Sequence, residues 1–353
     1  MVRAWWLGGW VVGWLGGSSA RRTPLSLCGE GAAKDPATPF RGHRLSLGFG
    51  LLLMLLGTPG CHAQGTGASR PAVDAPEFDG ERAMQWLRRQ VEIGPRVPGT
   101  ETHREARRVL AAALGPGTRE QEFTYLAPHT VVQMVNLIAR FGPEESDRIL
   151  LCAHWDTRPF ADQDPDPANR SKPVPGANDG ASGVAVLLEM ARLFRAAPPP
   201  VGVTVVLFDG EDWGRTLETM FIGSRYFAEH PVGGPFRYGI LLDMVGDADL
   251  QIYRERHSQD RAPAVVDRVW RAAEELGIEH FRPSVRHTIE DDHIPLLQRG
   301  IPVIDVIDFD YPYWHTVEDT PDKCSARSLK LVGDVVRRVA YTAARAPAGA
   351  GVP

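Results

Sequence analysis

The sequence predicts an α/β fold, a three-layer α/β/α domain around a mixed, mostly parallel central sheet. Three observations carry that expectation. Short apolar runs alternate with amphipathic stretches of helical period, the order that builds strand–helix–strand units. Some runs, Val203 to Phe208 among them, are apolar at nearly every position, as in strands covered on both faces. Acidic and histidine clusters follow directly on several runs, where open α/β sheets gather their functional residues.

The elements follow in order. Ala83, Trp86, Leu87 and Val91 recur at helical spacing from near Phe78, and Gly94-Pro95 stops that helix. Thr100 is placed to cap a helix from Glu101 to Leu114. Val131 to Phe141 and Arg148 to Ala153 read as strands separated by Gly142-Pro143. A long loop rich in Pro and Asp runs from Asp156 to Gly176, and its Asp162, Asp164 and Asp166 alternate as in a calcium-holding loop or a solvated acidic one. Helices are expected over Gly183–Phe194, Ser224–His230, Ala264–Leu276, Asp292–Gln298 and Ser325–Ala344, and strands over Val203–Phe208, Tyr238–Met244 and Ile301–Ile307. No internal repeat is visible.

With 353 residues, 24% charged and 43% hydrophobic, the chain has globular composition and length for one large domain or two small ones. A net charge of -5 and the lack of a Lys/Arg block argue against nucleic acid as a partner. Residues 1–61 read as an N-terminal extension and export signal: Arg41, His43 and Arg44 precede the apolar run Leu45 to Leu56, and small residues follow up to Cys61. Three fates stay open, namely lipidation at a lipobox Cys61, plain cleavage, or an uncleaved anchor. The expected location is exported, in a periplasm or cell envelope, with membrane attachment through Cys61 in the lipidated case. Residues 62–76 read as a flexible linker, 77–347 as a single catalytic domain and 348–353 as a tail. Cys152 reads as a buried thiol, and a Cys152–Cys324 disulfide is an alternative in an oxidising compartment.

The chemistry concentrates after the strands. His154-Trp155-Asp156, Asp209-Gly210-Glu211-Asp212, Asp243 and Trp314-His315-Thr316 each follow an apolar run, and Gly176 to Gly183 is a glycine-punctuated loop entering a helix. Parallel strands bring these ends to one rim of the sheet. Asp, Glu and His converging there without sulfur form a donor set that suits zinc. Each fragment alone is weak; their joint occurrence in this order is the signal.

These segments, with Leu242-Asp243-Met244 and Asp291-Asp292-His293-Ile294-Pro295, resemble the M28 family of zinc aminopeptidases and its glutaminyl-peptide cyclotransferase-like members over roughly Gly94 to Asp319. The resemblance implies a zinc-dependent exopeptidase-like form of the α/β/α fold, with Asp179, Asp212 and His315 holding zinc and Glu211 as the base. Many relatives carry Glu-Glu where this chain has Glu211-Asp212, so the second acid is one methylene shorter.

Two activities remain open. In a two-zinc aminopeptidase, His154 and Asp243 hold a second metal and Asp179 bridges. In a cyclotransferase one zinc suffices, Asp243 and Asp291 share a proton, and Trp314, with Trp213 as a second wall, lines the pocket for an N-terminal glutamine. The doubled acid at Asp291-Asp292, the Trp before His315 and the stretch from His154 to Gly183 favour the cyclotransferase. Packing for Trp314 and a helix N-cap for Asp291 are the bland alternatives. The implied substrates are peptide or protein N-termini.

Overall fold

The computed structural model describes residues 76–127, 130–144 and 147–343. The export signal, Cys61, nearly all of the linker and the tail lie outside the described residues. Eight helices are described: α1 (Gly80–Ile93), α2 (Glu101–Leu114), α3 (Ala181–Ala196), α4 (Ile222–Glu229), α5 (Arg256–Arg261), α6 (Pro263–Glu275), α7 (His293–Gln298) and α8 (Ala326–Thr342). The strands are β1 (Arg119–Ala127), β2 (Thr130–Phe141), β3 (Arg148–His154), β4 (Gly202–Phe208), β5 (Phe236–Asp243), β6 (Ile252–Arg254), β7 (Phe281–Val285) and β8 (Val303–Ile307). Among the described residues no helix is long and apolar enough to cross a membrane.

The main sheet has the order β1-β2-β4-β3-β5-β8, and β6 and β7 form a small second sheet. β4, β3, β5 and β8 run parallel, while β1 and β2 pair antiparallel at one edge. Parallel register aligns the strand ends: His154 pairs with Phe208, and Asp243 with Ile307. All four parallel strands therefore deliver their C-terminal residues to one rim.

Residues of the buried strands alternate between two cores. Ile149, Leu151 and Ala153 join Leu207, Ile240 and Leu242 in the cluster that includes α1, α3, α6 and α8. Leu150 and Cys152 join Val206, Phe208, Leu241, Phe227 and Leu296 on the opposite face. Two apolar faces explain why these strands read as continuous apolar runs. α3 lies flush on the sheet, because a Cβ at Gly183 would stand 2.2 Å from the Leu242 carbonyl oxygen.

The same alternation settles the cysteines. Cys152 faces the α4 and α7 side and Cys324 belongs to the cluster on the other side, so each is a buried, free thiol and the disulfide alternative falls. The acidic loop is also accounted for. Asp164 accepts from the amides of Asp166 and Val317 and from Asn169, Asp166 caps a short 3-10 turn through the Ala168 amide, and Asp162 pairs with Arg158. These carboxylates bind protein donors and shape the loop. β1 was not expected from its sequence. Its exposed positions alternate with Gln121 and Phe123 facing inward, a pattern too polar to stand out from the preceding helix.

Candidate active site

The rim gathers the acids and histidines in three tiers. Asp179 precedes α3 in a turn whose Gly180 has φ +94°; a Cβ there would stand 2.5 Å from the Asp156 carbonyl oxygen, so only glycine lets the chain pass. Asp319 holds this turn from behind. Its Oδ1 accepts the Asn178 amide at 2.8 Å and the Tyr311 hydroxyl at 2.8 Å, and its Oδ2 accepts the Asp179 amide at 3.1 Å. Arg96, fully buried, donates to the carbonyls of Trp155, Pro175 and Gly176 and fixes the approach to the turn.

Glu211 and Asp212 follow β4. Their amides donate to the two oxygens of Asp156, at 3.1 and 3.2 Å, so one buried carboxylate beyond β3 orients the acid pair beyond β4. On the far side His103 donates to Asp209 at 2.9 Å and stacks on Trp155, tying α2 to the same loop.

Asp179, Asp212 and His315 each place a donor atom within 4.8 Å of the others, and all three are buried. His315 Nε2 lies 3.5 Å from Asp212 Oδ1 and 3.7 Å from Asp179 Oδ2. Tetrahedral zinc with bonds of about 2.0–2.2 Å sets its ligands roughly 3.3–3.6 Å apart, so the spacing fits one dication. Asp212 Oδ2 is buried with no protein donor, which also fits. His315 is held in the left-handed region, at φ 55°, a strained conformation for a non-glycine residue.

A second trio shares Asp179. His154 Nε2 is 3.2 Å from Asp179 Oδ1 and 3.2 Å from Asp243 Oδ1. Its Nδ1 lies 3.6 Å from both Asp156 and Glu211. Behind Asp243 stand Asp291 and Asp305, the latter in the middle of β8 and fully buried, with neither carboxyl oxygen hydrogen-bonded. Asp291 accepts the neighbouring Asp292 amide at 2.5 Å, while its Oδ2 has no donor. Asp292, not Asp291, occupies the N-cap position of α7, so the cap alternative for Asp291 falls.

The electrostatics follow from burying so many acids. Burial, with Asp212 and Asp291 nearby, pushes the Glu211 carboxyl well above the usual range against the pull of His154. Burial lifts Asp291 and Asp305 well above it too, helped by Asp243 beside Asp291 and by Asp291 beside Asp305. Burial takes Asp212 up to about 7 despite His315 and Arg158. Asp179 goes the other way: burial opposes it, but His154 and His315 hold it below the ordinary value. Burial works against a charged His154, yet the surrounding carboxylates raise it well above an ordinary imidazole. A buried cluster of this kind is short of positive charge, which a dication would supply.

Trp314 stacks on His315 with ring centroids 3.8 Å apart, backed by Phe309 in a cluster with Met244, Ile289, Ile307 and Tyr311. Trp213 packs against the cluster of Phe123, Val132, Met134 and Ile222 under the β1–β2 hairpin. The structure thus brings Asp179, Glu211, Asp212, His315, His154, Asp243 and Asp291 to one rim. Sequence reasoning missed Arg96, Arg158, Asp305 and Asp319. Only Asp305 left a signal, as a lone charge inside an apolar strand.

A three-layer α/β/α domain with a carboxylate–imidazole cluster beyond its parallel strands defines a zinc-exopeptidase-like protein. The peptidase family M28 pattern matches residues 136–340, and the chain belongs to that family. A glutaminyl-peptide cyclotransferase of Bothrops jararaca is 27% identical over 287 residues, covering 70% of this chain and 76% of that one. The glutaminyl cyclase structure from Tannerella forsythia has a TM-score of 0.73 and 39% identity, covering 76% of this chain and 100% of that one. A structure described as a leucine aminopeptidase precursor, from Bacteroides thetaiotaomicron, has a TM-score of 0.75 and 38% identity, with 77% and 100% covered.

Proposed function

We propose that this chain is a zinc-dependent glutaminyl-peptide cyclotransferase, converting the N-terminal glutamine of peptides or proteins to pyroglutamate with release of ammonia. The observation that carries the reading is the buried row of Glu211, Asp243 and Asp291 beside the Asp179–Asp212–His315 trio, in a fold shared over the full length of a bacterial glutaminyl cyclase.

Asp179, Asp212 and His315 would hold the zinc, which when bound polarises the glutamine side-chain carbonyl and supplies the missing positive charge. Glu211 takes a proton from the α-amine as its nitrogen bonds to the side-chain amide carbon. It then returns that proton to the departing amide nitrogen, so the carbon–nitrogen bond breaks and ammonia leaves without consuming water. Asp243 and Asp291, two buried carboxyls of which the first raises the pKa of the second, share one proton and steady the nitrogen during the transfer. Attack within one residue needs little further loss of freedom once the substrate is folded into place. Trp314, stacked on His315, provides the aromatic wall; Trp213, placed against the hairpin cluster, contributes as a second wall through the loop after Asp212.

A Gln-initiated peptide should yield ammonia and a blocked product, one zinc per chain should be found on the same sample, and chelation should abolish turnover. Free amino acids without ammonia would overturn the reading. The His154–Asp179–Asp243 trio favours a second reading, a two-zinc aminopeptidase; two zincs per chain and loss of peptidase activity in His154→Ala would establish it. We further propose export through the signal in residues 1–61, to a periplasm or cell envelope, with Cys61 as the lipid-bearing residue. The basic flank, apolar run and small residues before Cys61 support this. Fractionation with Cys61→Ser tests it: lipidation makes that variant leave the membrane fraction.

A further inference from the structure

The side chains behind the proposed zinc ligands are joined by one guanidinium. Arg158, in the loop after β3, is 4% exposed. Its Nη1 donates to Asp212 Oδ1 at 2.5 Å and to the Gly214 carbonyl at 3.2 Å. Its Nε and Nη2 donate side by side to the two oxygens of Asp162, each at 2.8 Å. Asp162 Oδ1 in turn stands 3.3 Å from His315 Nδ1, a buried ring nitrogen that has no well-aligned hydrogen-bond partner. The fork is clamped from the side by Phe160, whose ring lies 4.6 Å from the Arg158 guanidinium and 3.5 Å from that of Arg215.

We propose that Arg158 and Asp162 are positioning residues for the zinc site. Asp162 selects the His315 tautomer with hydrogen on Nδ1, leaving the Nε2 lone pair toward Asp179 and Asp212. Arg158 fixes the Asp212 carboxylate through Oδ1, the oxygen that stands 3.5 Å from His315 Nε2, while Oδ2 has no protein donor. A carboxylate one methylene shorter than glutamate reaches less far, and the planar, bidentate geometry of the guanidinium holds both acids in one frame, which a lysine ammonium does not reproduce. Partners behind a ligand, when lost, cost about 10–100-fold in metal affinity. This inference rests on the reading that Asp179, Asp212 and His315 hold zinc.

The test measures zinc affinity of the full chain by competition with a chelating dye, together with the visible spectrum of the cobalt-substituted protein and thermal unfolding. Arg158→Lys and Asp162→Asn should each bind zinc about 10–100-fold more weakly, and Asp162→Asn should change the cobalt spectrum. Asp166→Ala, in the same loop but serving only its 3-10 turn, should lower stability slightly and leave zinc affinity unchanged. Parent-like zinc affinity in both Arg158→Lys and Asp162→Asn would overturn the inference while leaving the zinc reading intact. If Arg158→Lys does not fold, Asp162→Asn alone decides. Parent protein that binds no zinc, or binds it equally well as Asp212→Asn, would overturn the zinc reading and the inference with it.

Discussion

Glu211→Gln is the sharpest test of the proposed chemistry, because it removes a proton acceptor while keeping the shape of the side chain. The position of Glu211 does not depend on its carboxyl. Its backbone amide is anchored to Asp156 Oδ1 at 3.1 Å, and the next amide, of Asp212, to Oδ2 of the same residue. The amide should therefore sit where the acid sat. His154 Nδ1 lies 3.6 Å from the Glu211 carboxylate, too far to be a strong bond whose loss would move the loop. The substitution also takes one buried acid from a cluster short of cations, so stability should hold or rise. A positioned acid–base group contributes about 10²–10⁴ in rate, or roughly 3–5 kcal/mol of barrier. Glu211→Gln should accordingly lose about 10²–10⁴ in kcat for ammonia release, with KM for a Gln-peptide changed little and zinc content unchanged. The assay is continuous ammonia detection with metal analysis on the same sample. Activity within a few-fold of the parent, with zinc retained, would take Glu211 out of the proton-transfer role. Loss of zinc together with activity would instead mean that the loop had moved.

Two further predictions concern the frame that carries the site. Glu255 caps α5, accepting the amides of His257 and Ser258, and also receives the Ile289 amide and lies 3.3 Å from His293. Burial works against its charge, but His293 and those amides more than offset it and hold the carboxyl down from 4.5 to about 2. Because the folded value is depressed, the stabilisation is complete above pH 4.5 and fades as pH falls toward 2. Glu255→Gln should lose roughly 2 kcal/mol at pH 7 after allowing for solvent screening, with the difference closing near pH 2; denaturant midpoints equally separated at pH 7 and at pH 2.5 would contradict this. Gly183→Ala should destabilise, although glycine-to-alanine in an exposed helix stabilises by about 0.5–1 kcal/mol. The new methyl would stand 2.2 Å from the Leu242 carbonyl oxygen and 3.0 Å from the Ala153 Cβ, which are backbone and core rather than a yielding side chain. Overpacking of this kind costs about 1–3 kcal/mol, and α3 carries the Asp179 turn, so ammonia release should fall as well. A melting temperature at or above the parent's would show that α3 can shift freely.

How much of this was legible in the sequence depended on whether a residue's role was local. His154, Glu211, Asp212 and Asp243 stand directly at or after apolar runs, so chain order alone placed them on one rim. The buried strands declared themselves by continuous apolarity, since both faces are covered. β1 did not, because an edge strand with one wet face and Gln121 turned inward has no apolar run. Arg96, Arg158 and Asp319 were illegible for a different reason. The partners that tie them to the site lie far along the chain, 54 positions between Arg158 and Asp212 and 141 between Asn178 and Asp319, and their nearer partners, Asp162 and Tyr311, do not by themselves mark a site. The cysteine alternative failed on the same account: side-chain alternation along β3 sends Cys152 to the face opposite Cys324, a fact of tertiary packing.

The two readings of the site meet at His154. Its Nε2 stands at the same 3.2 Å from Asp179 and from Asp243, with Nδ1 facing Asp156 and Glu211. An imidazolium in that place is itself a cation bridging the two carboxylates. A second dication ligated there would need Nε2 as a lone pair. It would also claim Asp243, leaving Asp291 without the neighbour that makes a shared proton possible. The acid row and a second zinc are therefore competing uses of one carboxylate. Asp291 and Asp305 are both buried, and each has carboxyl oxygen that no protein donor satisfies. On the proposed reading, what would separate amide hydrolysis with two metals from ring closure with one is whether Asp243 faces a metal or a neighbouring acid.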